Sequence, residues 1–341
     1  MTPALPGRLG RLPRVVRWSS GPLLVVLLVW LAGPGALLRR LAELDPGWGA
    51  AALLMALPPT ALAAWRWRYT ARRVGLDLPL GHAVREYWLG TFLNQVLPGG
   101  VAGDVGRAWR DGRERGPRRG RAWRVVVLER ASGQFVVALV AAASLLALAP
   151  STALAGALLL AGVLCLGGAL VWASRAARQG RGPLARLGRR ARQEVRRALL
   201  APAALPVQLV TSGAVVACYM AIFVLGARAV GVTTPMPDLL PLVMPVLLAM
   251  LIPVSVAGWG VREGAAAAIW SLAGLPVADG VAASLAYGIV VLAGSLPGAL
   301  FLSWKQGRPS ATPGPRSRRL PGRNDASGAG GPPPWSPPAG G

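Results

Sequence analysis

The chain has 341 residues, of which 53% are hydrophobic, and its mean hydropathy is +0.48. Its 37 Lys and Arg residues outnumber its 13 Asp and Glu residues, so the formal net charge is +24. Because the apolar residues occur in long runs, the composition excludes an ordinary water-soluble domain and indicates a membrane protein. With only two cysteines and one histidine, we expect neither a metal site nor any other cofactor.

Long apolar stretches predict an all-α polytopic membrane protein with about eight spans. A helix needs about 20 residues to cross a hydrocarbon core about 30 Å thick. The candidate spans, in chain order, are residues 22–38, 48–64, 125–148, 154–173, 205–225, 239–256, 264–273 and 281–304. Because residues 264–273 are too few to cross as a straight helix, we expect a half-helix there, or a span that extends backward through Val261, Arg262 and Glu263.

A further apolar stretch, residues 84–97, is predicted to be re-entrant because polar side chains interrupt it. These side chains are Arg85, Glu86, Asn94 and Gln95. Arginines are concentrated before the first span, after the second, in the loops 107–124 and 175–197 and in the tail. The alternate connections carry almost none, with Arg39 and Arg40 as the one clear violation. The positive-inside rule then predicts that both termini and all Arg-rich loops lie in the cytoplasm. We expect the membrane to be the plasma membrane. This alternation requires residues 84–97 to enter and leave the membrane on one face.

Topology explains the basic charge, so we expect no nucleic-acid partner. Cytoplasmic basic clusters are attracted to anionic headgroups, and the inner-leaflet surface is therefore an expected partner. Residues 175–197, in which Arg is spaced by Ala and Leu, favour an amphipathic helix on that surface. We divide the chain into a basic N-terminus (1–20), a membrane domain (21–304) and a Pro/Gly/Arg-rich tail (305–341) that is expected to be disordered.

A ten-residue pattern, Pro-x-x-Val-Ala-Gly-x-x-x-Arg, occurs twice, at residues 98–107 and 253–262. Paired interruptions of apolar segments in two halves of a membrane protein point to a transporter site at broken helices, as in inverted repeats. Short Pro, Gly and Ala matches also arise by chance in a chain with 44 Gly and 31 Pro. The apolar stretch before each copy and the arginine that ends it favour a repeat.

Each copy predicts a helix N-terminus that faces an anion. Gly99, Gly100 and Gly103 allow the chain to turn sharply. A helix that begins near Ala102 or Gly103 directs its positive end into the break, and Arg107, about one turn later, suits bidentate phosphate recognition. Gly258 to Arg262 is expected to repeat the arrangement. The predicted headgroup-binding residues are Asn94, Pro98, Gly99, Gly100, Gly103, Asp104, Arg107, Glu129, Arg130, Ser255, Gly258, Arg262 and Glu263.

The carboxylates of this set have two interpretations. Asp104 and Glu129 are expected to pair with the arginines while the site is empty, which limits the cost of unpaired charge. The other interpretation is structural, because charged side chains at membrane depth also serve as interfacial anchors and interhelical ion pairs.

Three motifs, in the expected order, resemble those of the membrane domain of lysylphosphatidylglycerol synthases and their stand-alone flippase-like relatives. The first runs from Tyr87 to Arg107 and includes Leu97-Pro98-Gly99-Gly100 and Gly103-Asp104. The second is Leu128-Glu129-Arg130-x-x-Gly133, and the third is Pro253-x-Ser255-x-x-Gly258-x-Gly260-Val261-Arg262-Glu263. Ala102 and Trp259 depart from the smaller residues common in that family, and the resemblance covers about residues 21–304.

The resemblance implies a flippase-like protein that binds an anionic phospholipid or lipid-linked glycan and moves it between leaflets. The two-domain synthases also carry a soluble C-terminal domain that transfers an aminoacyl group from charged tRNA to a phospholipid. The short tail after Trp304 leaves no room for that domain, so we expect no enzyme and no catalytic residues. One alternative is a non-catalytic partner that presents lipid to a separate aminoacyl- or glycosyltransferase. The other is an integral membrane transferase with Asp104 or Glu129 as its general base.

Overall fold

The computed structural model describes residue 35 and residues 44–97, 99–114, 119–148, 154–163, 182–252 and 255–302. In these ranges the regular structure is helical, without a strand. The helices are α1 (Pro46–Met55), α2 (Leu57–Val74), α3 (Leu80–Val96), α4 (Ala102–Glu114), α5 (Arg119–Leu148), α6 (Leu154–Val163), α7 (Pro183–Val195), α8 (Leu205–Ala229), α9 (Met236–Ala249), α10 (Val261–Leu272) and α11 (Val277–Ser295). A π-helical turn (Arg196–Leu200) follows α7, and a 3₁₀ segment (Leu296–Phe301) follows α11.

Four stretches of the described chain are long and apolar enough to cross a membrane. They are Pro46–Val74, Gly120–Leu148, Leu205–Ala229 and Val277–Phe301. They contain the predicted spans 48–64, 125–148 and 205–225 and most of 281–304, which confirms an all-α polytopic membrane protein. The predicted span 22–38 lies outside the described residues apart from residue 35, and 154–173 is described only as far as Val163.

Local sequence sets the ends of these helices. The Asp45 carboxylate caps α1 because it accepts hydrogen bonds from the amides of Gly47 and Trp48, at 2.7 and 3.2 Å. Helix α2 ends at Gly75, whose φ of +84° is a left-handed conformation that glycine adopts without strain. Helix α7 falls within the stretch 175–197 that predicted an amphipathic helix.

Two ends of the helical assembly can be distinguished by their contacts. At the first, which we call the arginine-rich end, Arg73 Nε donates to the carbonyl of Arg197 at 2.9 Å. Arg124 pairs with Glu194 at 2.6 Å, so the C-terminus of α2, the N-terminus of α5 and helix α7 lie together there. At the opposite end, the Asp45 amide donates to the carbonyl of Ala229 at 2.9 Å and joins the start of α1 to the end of α8.

Helices α3 and α4 form an antiparallel hairpin that enters from the arginine-rich end. Arg110 Nε lies 2.7 Å from Glu86 Oε2, and nearer the tip Gly90 packs directly against Gly103. With 17 and 13 residues, the two helices are about 25 and 20 Å long, too short to cross the bilayer separately. The re-entrant prediction for residues 84–97 therefore agrees with the structure.

Helices α9 and α10 form a second hairpin, which enters from the opposite end. They contain 14 and 12 residues and are about 21 and 18 Å long, so neither crosses the bilayer alone. The predicted span 239–256 is therefore wrong in length: its helix ends at Ala249, because the glycine-containing segment that leads to Gly260 turns the chain back. The short stretch 264–273 belongs to a half-helix, the first of the two expectations, although this helix begins at Val261 and is still too short to span.

Candidate functional site

The break between α3 and α4 has the geometry that its glycines predict. Gly99 and Gly100 have φ angles of +93° and +63°, and α4 begins at Ala102. A Cβ atom on Gly103 would overlap the carbonyl oxygen of Gly90, so only glycine permits this close approach of the two helices. The Gly103 amide donates to Asn94 Oδ1 at 2.7 Å, which satisfies an N–H of the first turn of α4. Pro98 lies outside the described residues.

A buried cluster of charged side chains lies behind this break, with Glu129 at its centre. The Glu129 carboxylate is fully buried and accepts hydrogen bonds from Arg66 at 2.5 Å, Tyr87 at 3.1 Å and Arg107 at 3.1 Å. Arg66 also donates to Ser212 at 2.6 Å. Four helices, α2, α3, α4 and α5, therefore converge on one carboxylate.

Asp104 is the second carboxylate of the cluster. Its Oδ1 accepts from Arg107 at 2.9 Å and from Arg130 at 2.7 Å, and its Oδ2 accepts from Asn94 at 3.1 Å. Because Asp104 lies in the first turn of α4, its charge also interacts favourably with the positive end of the helix dipole. Asn94, Asp104, Arg107, Glu129 and Arg130, all predicted site residues, are thus brought together.

The cluster contains one more cationic side chain than anionic side chains. Three arginines, Arg66, Arg107 and Arg130, face two carboxylates, so its net charge is +1. Among the described residues, the Nε atoms of all three arginines and Nη1 of Arg107 are buried without a hydrogen-bond partner. The Arg107 guanidinium lies 4.4 Å from the ring centre of Trp67 and 4.3 Å from that of Tyr87, which stabilises its charge through cation–π interactions.

The cluster lies inside the helical assembly, away from the arginine-rich end, and Arg66, Arg107 and Glu129 are buried. Arg66 precedes the end of α2 at Val74 by about 12 Å along the helix axis, and Glu129 follows the start of α5 at Arg119 by about 15 Å. Both ends belong to the arginine-rich end. These distances compare with a hydrocarbon core about 30 Å thick, half of which is about 15 Å.

The second copy of the pattern has a different geometry from the first. Helix α10 begins at Val261, three residues after Gly258, whereas α4 begins one residue before Gly103, the equivalent glycine. The expectation that Gly258 to Arg262 repeats the first arrangement is therefore wrong. Gly258 has a φ of +78°, Ala257 has the left-handed φ of +50°, and the Ser255 hydroxyl is buried without a hydrogen-bond partner among the described residues.

Arg262 and Glu263 form a closed set of contacts at the start of α10. Arg262 donates to Glu263 at 2.5 Å and to Ser284 at 2.9 Å, and both charged side chains are almost fully buried. Glu263 also accepts from the Gly260 amide at 2.6 Å, which makes it an N-terminal cap of α10. Arg262 further lies 4.9 Å from the ring centre of Trp259. These contacts fix the turn between α9 and α10 against α11.

A cavity of about 250 Å³ lies between the hairpins and helices α2, α5, α8 and α11. Its polar wall includes Arg66, Tyr87, Asn94, Gln95, Arg130, Gln134 and Ser212. Its apolar wall includes Val137, Val215, Val216, Met244, Leu247, Leu251 and Val291. The cavity therefore has a charged part and an aliphatic part, as an amphipathic ligand requires.

Not all predicted site residues line this cavity. Of the first motif, Asn94 and Gly100 do, together with Arg130, while Asp104, Arg107 and Glu129 support the lining arginines. Arg262 and Glu263 are not among its described lining residues, and Ala257 lines it from the second copy of the repeated pattern. The sequence analysis missed Arg66, which it counted with the arginines that follow a span. Because Trp65 and Trp67 flank Arg66, the local sequence is typical of a membrane interface and gave no signal of a buried site.

Long apolar helices, two half-length hairpins and a charged cavity define a polytopic α-helical membrane protein with broken helices. The chain belongs to the family described as the lysylphosphatidylglycerol synthase TM region, whose model matches residues 18–298. This family makes it a membrane protein associated with lipid modification or transport. Among curated proteins, none matches the chain in sequence.

Proposed function

We propose that the protein binds an anionic phospholipid or lipid-linked glycan in the cavity and moves it between the leaflets of the membrane. The observation that carries the proposal is the unbalanced guanidinium charge at the cavity wall. Arg66 and Arg130 both line the cavity, and both have buried Nε atoms without a hydrogen-bond partner among the described residues. Guanidinium groups bind phosphate oxygens with charge-assisted hydrogen bonds.

The remaining wall suits the other parts of a lipid. Asn94, Gln95 and Gln134 offer neutral amide groups beside the arginines, which suit hydroxyl groups of a headgroup. The aliphatic side chains of α8 and α9 cover the other part of the cavity and suit an acyl chain. A ligand with a phosphate, a hydroxylated headgroup and an aliphatic chain has all three features.

We propose ligand binding and movement rather than a group-transfer reaction. The two carboxylates of the cluster are the acidic candidates for a general base. Glu129 already accepts hydrogen bonds from three side chains, and Asp104 accepts from two arginines and one asparagine. A carboxylate held by cations is a weak base, so these contacts favour a binding role.

The two hairpins supply a route for movement. They enter from opposite ends and meet where the Gly99 amide approaches the Ser255 carbonyl, with an N–O distance of 3.3 Å. Transporters with paired broken helices alternate access to a central site by rearranging one set of helices against another. We propose that separation of the hairpin tips opens the cavity toward one leaflet at a time.

Purified protein in liposomes tests this proposal with a fluorescent phosphatidylglycerol, whose movement is followed by chemical quenching of the outer leaflet. We expect the native protein to accelerate movement and Arg130→Gln to abolish most of that acceleration. The matched control is Arg72→Gln, which removes the same charge from an exposed side chain at the arginine-rich end. Equal activity of Arg130→Gln and Arg72→Gln would contradict the proposed site. Lipid binding without movement would favour the presenting role beside a separate transferase.

A further inference from the structure

The two carboxylates of the charged cluster differ in their accessibility to a ligand in the cavity. Glu129 has no exposed side-chain surface, and its nearest cation, Arg66, is 4% exposed. Asp104 is 13% exposed, and its partner Arg130 is 36% exposed and lines the cavity. A ligand in the cavity therefore meets Arg130 while that arginine is paired with Asp104.

The position of Asp104 is fixed from three sides. Asn94 donates to its Oδ2, Arg107 donates to its Oδ1, and the backbone of α4 holds it in the first helical turn. Asp104 Oδ1 lies 2.7 Å from Arg130 Nη2. Because Asp104 is held, an arriving phosphate does not displace it from the site but must share Arg130 with it.

We propose that Asp104 is a built-in counter-ion that competes with the headgroup for Arg130 and thereby determines which headgroup charge the cavity accepts. This inference rests on the proposed lipid-binding function. With three arginines and two carboxylates, the cluster is neutralised by one negative charge. A phosphodiester headgroup brings one charge, whereas a terminal phosphomonoester brings up to two. Within the described cluster, the second charge has no cation left to neutralise it, and it is repelled by Asp104.

The size of this effect follows from the short distances and from burial. A charge interaction at a few ångströms is several times stronger in a partly buried site than in water, and it is weakly screened by salt. Removal of the Asp104 charge changes the cluster from +1 to +2. We expect the preference for a phosphodiester over a phosphomonoester to fall at least about tenfold, a change that corresponds to about 1.4 kcal/mol.

The experiment measures binding of three short-chain lipids to the full-length protein in detergent, at alkaline pH where the phosphomonoester is doubly charged. The lipids are phosphatidylglycerol, phosphatidic acid and phosphatidylcholine, with headgroup charges of −1, −2 and 0. The native protein is expected to favour phosphatidylglycerol, and Asp104→Asn to shift the preference toward phosphatidic acid. The matched control is Asp77→Asn, which removes a carboxylate that is 85% exposed outside the cavity.

A double variant with the native cluster charge serves as a control for misfolding of Asp104→Asn. Arg130→Gln lowers the cluster charge to 0, and Arg130→Gln combined with Asp104→Asn restores +1. We expect the double variant to bind more weakly than the native protein but to regain its preference for phosphatidylglycerol. If the native protein prefers phosphatidylglycerol and Asp104→Asn keeps the same ratio, the role of Asp104 is refuted while lipid binding stands. If the native protein binds none of the three lipids, the proposed function itself fails.

Discussion

The amide of Gly99 donates a hydrogen bond to the carbonyl of Ser255, with an N–O distance of 3.3 Å. These residues lie 156 positions apart, one in each copy of the repeated pattern, and at the tips of hairpins that enter from opposite ends. Backbone groups at the ends of broken helices lack helical partners, so each tip satisfies a polar group of the other. The contact places both breaks beside one cavity.

The first prediction concerns the packing of the α3–α4 hairpin. We expect Gly103→Ala to destabilise the protein by about 3 kcal/mol or more, because the new methyl group would overlap backbone atoms of Gly90. Gly81→Ala in the same hairpin is the control, since no atom lies within 4 Å of its Cβ position and alanine is the better helix former. Thermal unfolding in detergent measures both. Equal melting temperatures would show that the hairpin is not packed as described.

The second prediction concerns the buried ion pairs around Glu129. Glu129→Gln leaves three arginines against one carboxylate, and we expect a loss of about 3–5 kcal/mol in the free energy of unfolding. Glu194→Gln, which removes a partly exposed partner of Arg124, is expected to cost less than about 1 kcal/mol. Arg66→Met combined with Glu129→Gln should recover part of the loss, because both buried charges are removed. A double variant less stable than Glu129→Gln alone would contradict this pairing.

The third prediction separates Arg262, which ends the second copy of the repeated pattern, from Arg130, which lines the cavity. Arg262→Ala leaves Glu263 buried without its cation and is expected to cost about 3–5 kcal/mol in stability. Its folded fraction should bind phosphatidylglycerol with native affinity, because Arg262 is held by Glu263 and Ser284. Arg130→Gln should show the reverse: a small change in stability and a large loss of affinity. A lipid-binding defect in well-folded Arg262→Ala would return that residue to the binding site.

The fourth prediction concerns the direction from which each hairpin enters. In a background with Cys165→Ser and Cys218→Ser, single cysteines replace two exposed residues beside each hairpin. Asp77→Cys and Arg113→Cys mark the first hairpin, and Thr233→Cys and Ser271→Cys mark the second. A membrane-impermeant maleimide applied to intact cells should label the second pair, and the first pair only after lysis. Labelling of one member from each pair would refute the re-entrant arrangement.

The sequence predicted the breaks better than the lengths of the helices around them. Gly99 and Gly100 identified the first break, because few other residues adopt positive φ angles, and α4 begins at Ala102 as expected. The end of α9 at Ala249 was not predictable from hydropathy, since Met250 to Ile252 continue the apolar run. The chain turns back after this helix, and Gly258 lies so close to Met250 that a Cβ atom on Gly258 would crowd it.

The charged site was also only partly predictable. Asn94, Asp104, Arg107, Glu129 and Arg130 stood out because charged and amide side chains are costly in an apolar segment. Arg66 was hidden, because an arginine eight residues before the end of a helix has the same local sequence whether it faces lipid headgroups or a buried carboxylate. Only the packing of α2 against α5 places it 2.5 Å from Glu129. Arg262 was assigned to the ligand because its pattern matched, whereas the late start of α10 turns it toward Glu263.

Photocrosslinking of lipid inside the cavity tests the central claim most directly. A photoreactive phenylalanine analogue is placed at Val137, which lines the cavity, and for comparison at Phe135, which is 42% exposed on the same helix. We predict that position 137 crosslinks a labelled phosphatidylglycerol, that unlabelled phosphatidylglycerol competes, and that Arg130→Gln removes the product. At position 135 we expect only non-specific crosslinking to lipid, whose yield does not saturate as the concentration of labelled lipid rises. The same non-saturable labelling at both positions would contradict a lipid-headgroup site in this cavity.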